Sequence, residues 1–294
     1  MEVVTTVAAL RERVRSARRR GETVGLVPTM GALHAGHLSL MQRAAAECGF
    51  VVASLFVNPT QFAPTEDLSR YPRDPEGDRA MAADAGVDIL FAPAVEEVYP
   101  AGASTYVVVE EVSAGMEGAS RPTHFRGVAT VVAKLFNMAQ PDRAYFGEKD
   151  YQQLQVIRRM TRDLGFPVEI VPCATVREPD GLAMSSRNRY LSPEERAAAL
   201  ALSRGLDAAR RQYDGGERRS GALVSAARTV LDAEQRALVD YVERVDADDL
   251  TPVENASRPV VLAIAAFVGS TRLIDNTVLG RAPSPGAPAR PGSV

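Results

Sequence analysis

The sequence predicts an α/β fold, a parallel sheet with helices on its faces, followed by a smaller α+β domain. Short apolar runs alternate with helix-like segments through the first two-thirds of the chain, the pattern of strands joined by crossover helices. After about Val176 the texture changes to two helices and three strand-like runs, which suits a small antiparallel sheet. The length, 294 residues, is that of one large domain or two ordinary ones. We therefore expect a first domain over 1–175 and a second over 176–280. A disordered tail should follow over 281–294, where "RAPSPGAPARPGSV" is too rich in Pro, Gly and Ala to pack.

Taken in order, "VTTVAALRERVRSARRRG" reads as a helix with a basic outer face and Gly21 as its stop. Strands follow at 23–28, 50–57, 87–92, 143–146 and 168–172, each a short apolar run bounded by turn residues. Between them the helical candidates are 37–48, 74–85, 128–139 and 150–164. In the second domain "SPEERAAALALSRGLDAARRQY" opens with a Ser192 cap, Pro193 at the first helical position and glutamates in the first turn, the signature of a helix start. A second helix over 221–231 precedes the strand-like runs "LVDYVERVD", "RPVVLAIAAFV" and "TRLIDNTVL".

Hydrophobic residues make up 46% and charged residues 24% of the chain, ordinary for a globular enzyme, and a net charge of −3 offers no broad electrostatic footprint for nucleic acid. The longest apolar run, "VVLAIAAFV", falls far short of the roughly 20 residues needed to cross a bilayer. With no signal-like apolar stretch near Met1, we expect a soluble, cytoplasmic protein with neither membrane nor nucleic-acid partners. Cys48 and Cys173 stand in no metal-ligand spacing and are expected as reduced thiols packed as small apolar residues. Of the 34 basic residues only Lys134 and Lys149 are lysines. Arginine is a planar fork and lysine a compact point charge, so the lysine kept in "FGEKD" suits a single phosphate oxygen. On a solvated face it would carry no such meaning.

"TMGALHAGHLSL" sets His34 and His37 between the end of an apolar run and the start of a helical pattern. A helix N-terminus presents unpaired backbone N–H groups and the positive end of a dipole, which together favour an anion. The two imidazoles add donors for a phosphate chain, and Gly31 and Gly36 let the backbone approach without a Cβ in the way. The competing reading is a pair of capping or core histidines. Zinc lacks cysteine or acidic partners at matching spacing. Farther on, "DGLAMSSRNRYLSP" offers Ser185, Ser186 and Arg187 just before a helix, either a second phosphate-binding cluster or simply a turn.

These motifs carry a resemblance. "HAGH" resembles the H-x-G-H signature of the nucleotidylyltransferase superfamily, and "MSSRN" its partner loop. Within that superfamily the chain closely resembles the pantothenate synthetase (pantoate–β-alanine ligase) family. "VPTMGALHAGH", "SLFVNPTQF", "DLSRYPRD", "EGASRPTHFRGVATVV", "FGEKDYQQL" and "REPDGLAMSSRNRYL" stand where that family has its motifs, over roughly residues 1–280. The resemblance implies a Rossmann-like first domain and a homodimer, and the two-domain organisation by itself leads us to expect the smaller C-terminal domain as a lid. The resemblance also implies the ATP- and Mg²⁺-dependent joining of (R)-pantoate to β-alanine through pantoyl adenylate, with release of pyrophosphate and then AMP.

By the same resemblance the ATP site takes Pro28, Thr29, Met30, Gly31, His34, Gly36 and His37 from the first turn, and Gly147, Lys149 and Asp150 from "GEKD". Val176 would line the adenine, with Met184, Ser185, Ser186 and Arg187 over the triphosphate. His37 is implied as a proton donor, with His34 and Lys149 as the other catalytic groups, both on the phosphates. Gln61 would hold pantoate and β-alanine and Gln153 pantoate, while Asn58, Tyr71 and Arg121 complete the pocket. No role can be derived for His124 in "PTHFRG", and the metal ligands stay unassigned. Two alternatives stay open, another adenylyl transferase of the superfamily and a nucleotide-binding regulatory module without turnover. A phosphorylated acceptor would call for cations where "NPTQF" has amides.

Overall fold

Side-chain caps mark the start of α-helices at Thr6, His34, Asp74 and Ser192. The computed structural model describes residues 1–64 and 66–281. They group into two units, Met1–Glu148 with Val156–Cys173, and Lys149–Gln155 with the chain from Ala174 onward. The predicted tail lies, beyond Arg281, outside the described residues.

The first unit opens with β1 (Glu2–Val4) and α1 (Val7–Arg19). Thr6 caps α1 by accepting from Ala9 N, and Leu10, Val14 and Ala17 form its buried stripe at helical spacing. Here the sequence reading is corrected: Val4 belongs to a strand, which pairs in parallel with a strand some ninety residues away (Val4 with Phe91). Three residues carry too little alternation to register as a period. Next come β2 (Val24–Thr29), α2 (Ala35–Glu47), β3 (Phe50–Leu55), α3 (Pro75–Asp84), β4 (Ile89–Phe91) and the short helices α4 (Val95–Val98) and α5 (Glu117–Ser120). Then follow α6 (His124–Ala139), β5 (Arg143–Gly147), α7 (Tyr151–Asp163), whose residues as far as Gln155 group with the second unit, and β6 (Glu169–Cys173). Helix α6 starts at His124 rather than at the expected Val128, because the residues of its first turn are largely polar or glycine and so lack the apolar period.

The six strands are all parallel, in the order β1-β4-β3-β2-β5-β6. Strands β2 and β3 are buried along nearly their whole length, which is why they read as continuous apolar runs rather than alternations. Val27, Leu33, Met41, Val51, Ala53, Leu90 and Tyr145 fill the core on one face of this Rossmann-like sheet. From β2 the chain steps to β3 and then β4. It later resumes on the other side of β2, at β5, and continues outward to β6. Neighbouring strands β2 and β5 therefore lead away in opposite directions, and in open α/β sheets ligands bind outside the carboxyl ends of such a pair. Cys173 is buried as expected, whereas Cys48 is only half-buried, with its Sγ 3.3 Å from Tyr145 Oη.

The second unit holds α8 (Pro193–Asp214), α9 (Ser220–Asp232) and the antiparallel strands β7 (Ala237–Asp246), β8 (Val260–Val268) and β9 (Thr271–Leu279). Ser192 and Glu195 form a reciprocal capping box at the start of α8. Leu202, Leu206, Leu223, Leu231, Leu262 and Ile264 pack the helices on the sheet. No described helix is long and apolar enough to cross a membrane.

Candidate active site

The histidine turn begins where β2 ends. Thr29 Oγ1 donates to the Ser54 carbonyl at 2.6 Å, and Thr29 N reaches Ser54 Oγ at 3.2 Å, which pins the end of β2 to β3. The chain then bends through Gly31 (φ +87°) and Ala32 (φ +50°), both left-handed. A Cβ on Gly31 would stand 2.9 Å from Leu55 Cδ1 and 3.0 Å from Asp78 Oδ2, so glycine is needed for space as well as for φ. Asp78, on α3 and 1% exposed, accepts from Ala32 N at 2.9 Å and from Leu33 N at 2.7 Å.

His34 is the N-cap of α2, and its Nδ1 accepts from Gly36 N at 3.1 Å. A neutral His34 ring therefore carries its proton on Nε2. His37 follows, with its ring centroid 4.1 Å from that of His34 and the planes tilted by 38°. The capping and phosphate readings of His34 are thus compatible, since the cap uses one nitrogen and orients the other.

Beyond β3, Asn58 caps a short 3-10 turn, Pro59–Gln61. Its Oδ1 accepts from Thr60 N, Thr60 Oγ1 and Tyr99 Oη at 3.3, 3.0 and 2.9 Å. Its Nδ2 donates to Gln61 Oε1 and to the Gly127 carbonyl, each at 3.1 Å. Burial raises the pKa of the Tyr99 hydroxyl, which keeps it a donor. Asn58 is 1% exposed, and its amide is used on the protein itself. With Oε1 held, Gln61 presents Nε2, which lies 2.9 Å from Met30 Sδ. The histidine and amide turns therefore abut at Met30. Arg121 forms a bidentate pair with Glu66 at 2.8 and 2.7 Å and lies 3.6 Å from Glu117. Tyr71 is buried edge-on against Phe62.

Gly147 ends β5, and a 3-10 turn, Glu148–Asp150, leads into α7. Lys149 falls in the second unit, where its carbonyl accepts from Asn276 Nδ2 at 2.7 Å and its Nζ stands 3.7 Å from Asp150. Gln153 follows, half-buried, on α7. The serine loop is a closed excursion in which Met184 N reaches the Val176 carbonyl at 3.0 Å. At its base Arg177 pairs bidentately with Asp275, at 2.6 and 2.9 Å. Ser185 caps the Ser186–Tyr190 turn by accepting from Arg187 N at 3.3 Å, and Ser186 is buried. Asn188 ties Glu178 to the Ala183 carbonyl at 2.9 and 3.1 Å, and Glu178 pairs with Arg196 at 2.8 Å.

Sequence reasoning missed Asp78, Tyr99 and Asp275 as supports of these segments, and named His124 without a role. "DPEGD" does signal a helix start, but nothing local says that its second aspartate clamps a turn 45 residues earlier. No group of three or more His, Cys, Asp or Glu arranged to hold a metal occurs among the described residues.

The comparison with known proteins covers nearly the whole chain. The sequence model of the pantoate–β-alanine ligases matches residues 2–278. The pantothenate synthetase of Moorella thermoacetica is 57% identical over 279 residues, 95% of this chain and 99% of that protein. The crystal structure of pantothenate synthetase from Thermus thermophilus is similar with a TM-score of 0.90 at 53% identity, covering 94% of this chain and 99% of that one. The pantoate–β-alanine ligase of Francisella tularensis, complexed with βγ-ATP and β-alanine, has a TM-score of 0.78 at 33% identity, covering 95% and 97%. Identity at this level over almost the full length makes the chain a member of the pantoate–β-alanine ligase, or pantothenate synthetase, family.

Proposed function

We propose that the chain joins its substrates through an enzyme-bound pantoyl adenylate, with the histidine turn on the triphosphate and the amide turn on pantoate. The overall reaction is that of its family, the ATP-dependent condensation of pantoate with β-alanine. In the first step a pantoate carboxylate oxygen bonds to the α-phosphorus as the bond to the β-phosphate oxygen breaks and pyrophosphate leaves. In the second the β-alanine amine bonds to the acyl carbon, the acyl–phosphate C–O bond breaks, AMP leaves, and the amine gives up a proton. Neither step needs a covalent enzyme intermediate, so the residues orient reactants and balance charge.

The observation that carries this reading is the abutment of Gln61 Nε2 and Met30 Sδ at 2.9 Å, which joins the two turns beside the switch point of the sheet. Nε2–H of His34 is oriented to donate to a phosphate oxygen, and His37 beside it supplies a proton as pyrophosphate departs. Gln61 offers a donor to pantoate and leaves the nucleophilic carboxylate unneutralised. Pro28, Thr29, Gly31, Gly36, Gly147, Lys149, Asp150, Val176, Met184, Ser185, Ser186 and Arg187 belong, in this reading, to the ATP site. Gln153, Tyr71 and Arg121 belong to the pantoate pocket. In this reading Mg²⁺ accompanies the nucleotide and would offset the charge of its phosphates. In the same reading the chain is a homodimer, as its family resemblance implies, which sedimentation would test. The reaction is assigned to the cytoplasm. Pantoate-dependent exchange of labelled pyrophosphate into ATP tests the adenylate; exchange that ignores pantoate, or none with it, overturns the route.

A further inference from the structure

The buried imidazole of "PTHFRG" has no part in the mechanism above, yet it touches the amide turn. His124, 8% exposed, opens α6 and packs edge-on to Phe125, with ring centroids 5.0 Å apart. Its Nδ1 lies 3.0 Å from the Gln61 carbonyl and its Nε2 3.3 Å from Arg121 Nη1. A carbonyl only accepts and a guanidinium only donates, so one protonation pattern satisfies both contacts: hydrogen on Nδ1 and a lone pair on Nε2. Arg121 is itself aimed by Glu66 and Glu117, and its Nη2 also reaches the Gln61 carbonyl at 3.4 Å. Next to them, Gly127 lies flush with the same backbone, because a Cβ there would stand 2.4 Å from the Thr60 carbonyl oxygen and 2.6 Å from Gln61 N. The Gly127 carbonyl takes Asn58 Nδ2.

We propose that His124 is a positioning residue for Gln61, its Nδ1–H holding the Gln61 carbonyl in place while Arg121 fixes the tautomer. Asn58 sets the far end of the Gln61 side chain and His124 its backbone root, so the two together aim Nε2. Burial and the Arg121 charge push the His124 pKa down to about 4, against the smaller opposing pull of the Gln61 carbonyl and of Glu117 and Glu66, so the ring is neutral at pH 7. The inference rests on the reading that Gln61 contacts pantoate.

Steady-state kinetics on wild type, Gln61→Ala, His124→Ala, His124→Asn and the Gln61→Ala/His124→Ala double variant test it. His124→Ala is expected to raise the pantoate KM roughly tenfold while the ATP KM moves by less than about twofold, the effect of one lost buried hydrogen bond at one substrate. His124→Asn, which keeps an N–H where Nδ1 stood, returns the pantoate KM to within about threefold of wild type. On the Gln61→Ala background His124→Ala adds less than about twofold, because the residue it aims is gone. A wild-type pantoate KM in His124→Ala beside an impaired Gln61→Ala, or fully independent effects in the double variant, overturns the role of His124 and leaves the Gln61 reading standing. A wild-type pantoate KM in Gln61→Ala removes that reading, and this one with it. Should His124→Ala fail to fold, ¹⁵N spectra of the histidine-labelled wild type decide. The signal missing from His124→Asn is expected as a neutral Nδ1–H ring at pH 7, and an Nε2–H ring or an imidazolium there overturns the proposal.

Discussion

The histidine turn and the serine loop are both assigned to the phosphates of ATP, yet they are held in different ways. In the histidine turn the clamp is a buried carboxylate, Asp78, that accepts from two consecutive backbone N–H groups, with left-handed Gly31 and Ala32 beside it. Removed from water, such charge-assisted bonds keep most of their strength and fix the backbone directly. In the serine loop Glu178 reaches Asn188 and pairs with Arg196, the two charged side chains 24% and 31% exposed, while Arg177–Asp275 at the base is more deeply buried. Ion pairs open to solvent contribute little. The difference teaches that a turn can be fixed by one buried carboxylate where a loop relies on several more exposed partners.

The comparison can be broken most directly at His37. His37→Ala is expected to lower kcat on the order of 10²–10³ without shifting the unfolding midpoint, by analogy with removing one preorganised donor; steady-state rates and a denaturant melt check both parts, and an unchanged rate refutes the role. Asp78→Ala should cost about 3 kcal/mol of stability, since two backbone donors lose a buried carboxylate, whereas Glu178→Ala should cost about 1 kcal/mol or less. Hydrogen exchange read separately over residues 29–40 and 176–190 measures the two losses, and equal costs would erase the contrast between the clamps.

Acid sharpens the same contrast, because it strikes the first unit through His124. Its pKa falls from 6.5 to about 4 on folding, so between those values the unfolded chain binds more protons than the folded one. The stability contributed is full above pH 6.5 and is lost as pH falls through about 4, a change of roughly 3 kcal/mol. Urea melts across this window should show it, and His124→Asn should flatten that slope. A further effect is expected at Lys149. Lys149→Arg should slow turnover about tenfold despite the retained charge, because a planar fork does not fit a point-charge position, and wild-type turnover would show that shape is irrelevant there.

Much of the fold was legible because its signals are local. The Ser192 cap with Glu195, the apolar runs of β2 and β3 and the Gly21 stop all act within a turn or two of chain. The strand β1 was not legible, since it exists only by pairing with β4. At the site, His34, His37, Gln61 and the serines stood out by motif. Asn58 was read by the same motif, and what the motif does not tell is that its amide also ties Gln61, Thr60, Tyr99 and Gly127 together.

By itself the sequence determined the periodicities, the caps, and which side chains with phosphate or amide chemistry sit at the ends of which strands. Only the tertiary structure decided how those groups are aimed: that Asp78 clamps the histidine turn, that the Gly127 carbonyl takes Asn58 Nδ2, and that His124 Nδ1 meets the Gln61 carbonyl. The reason is one of range. Propensity and spacing act between neighbours along the chain, whereas a buried donor takes whatever acceptor the packed sheet and helices bring to it, here from 45 to 69 residues away.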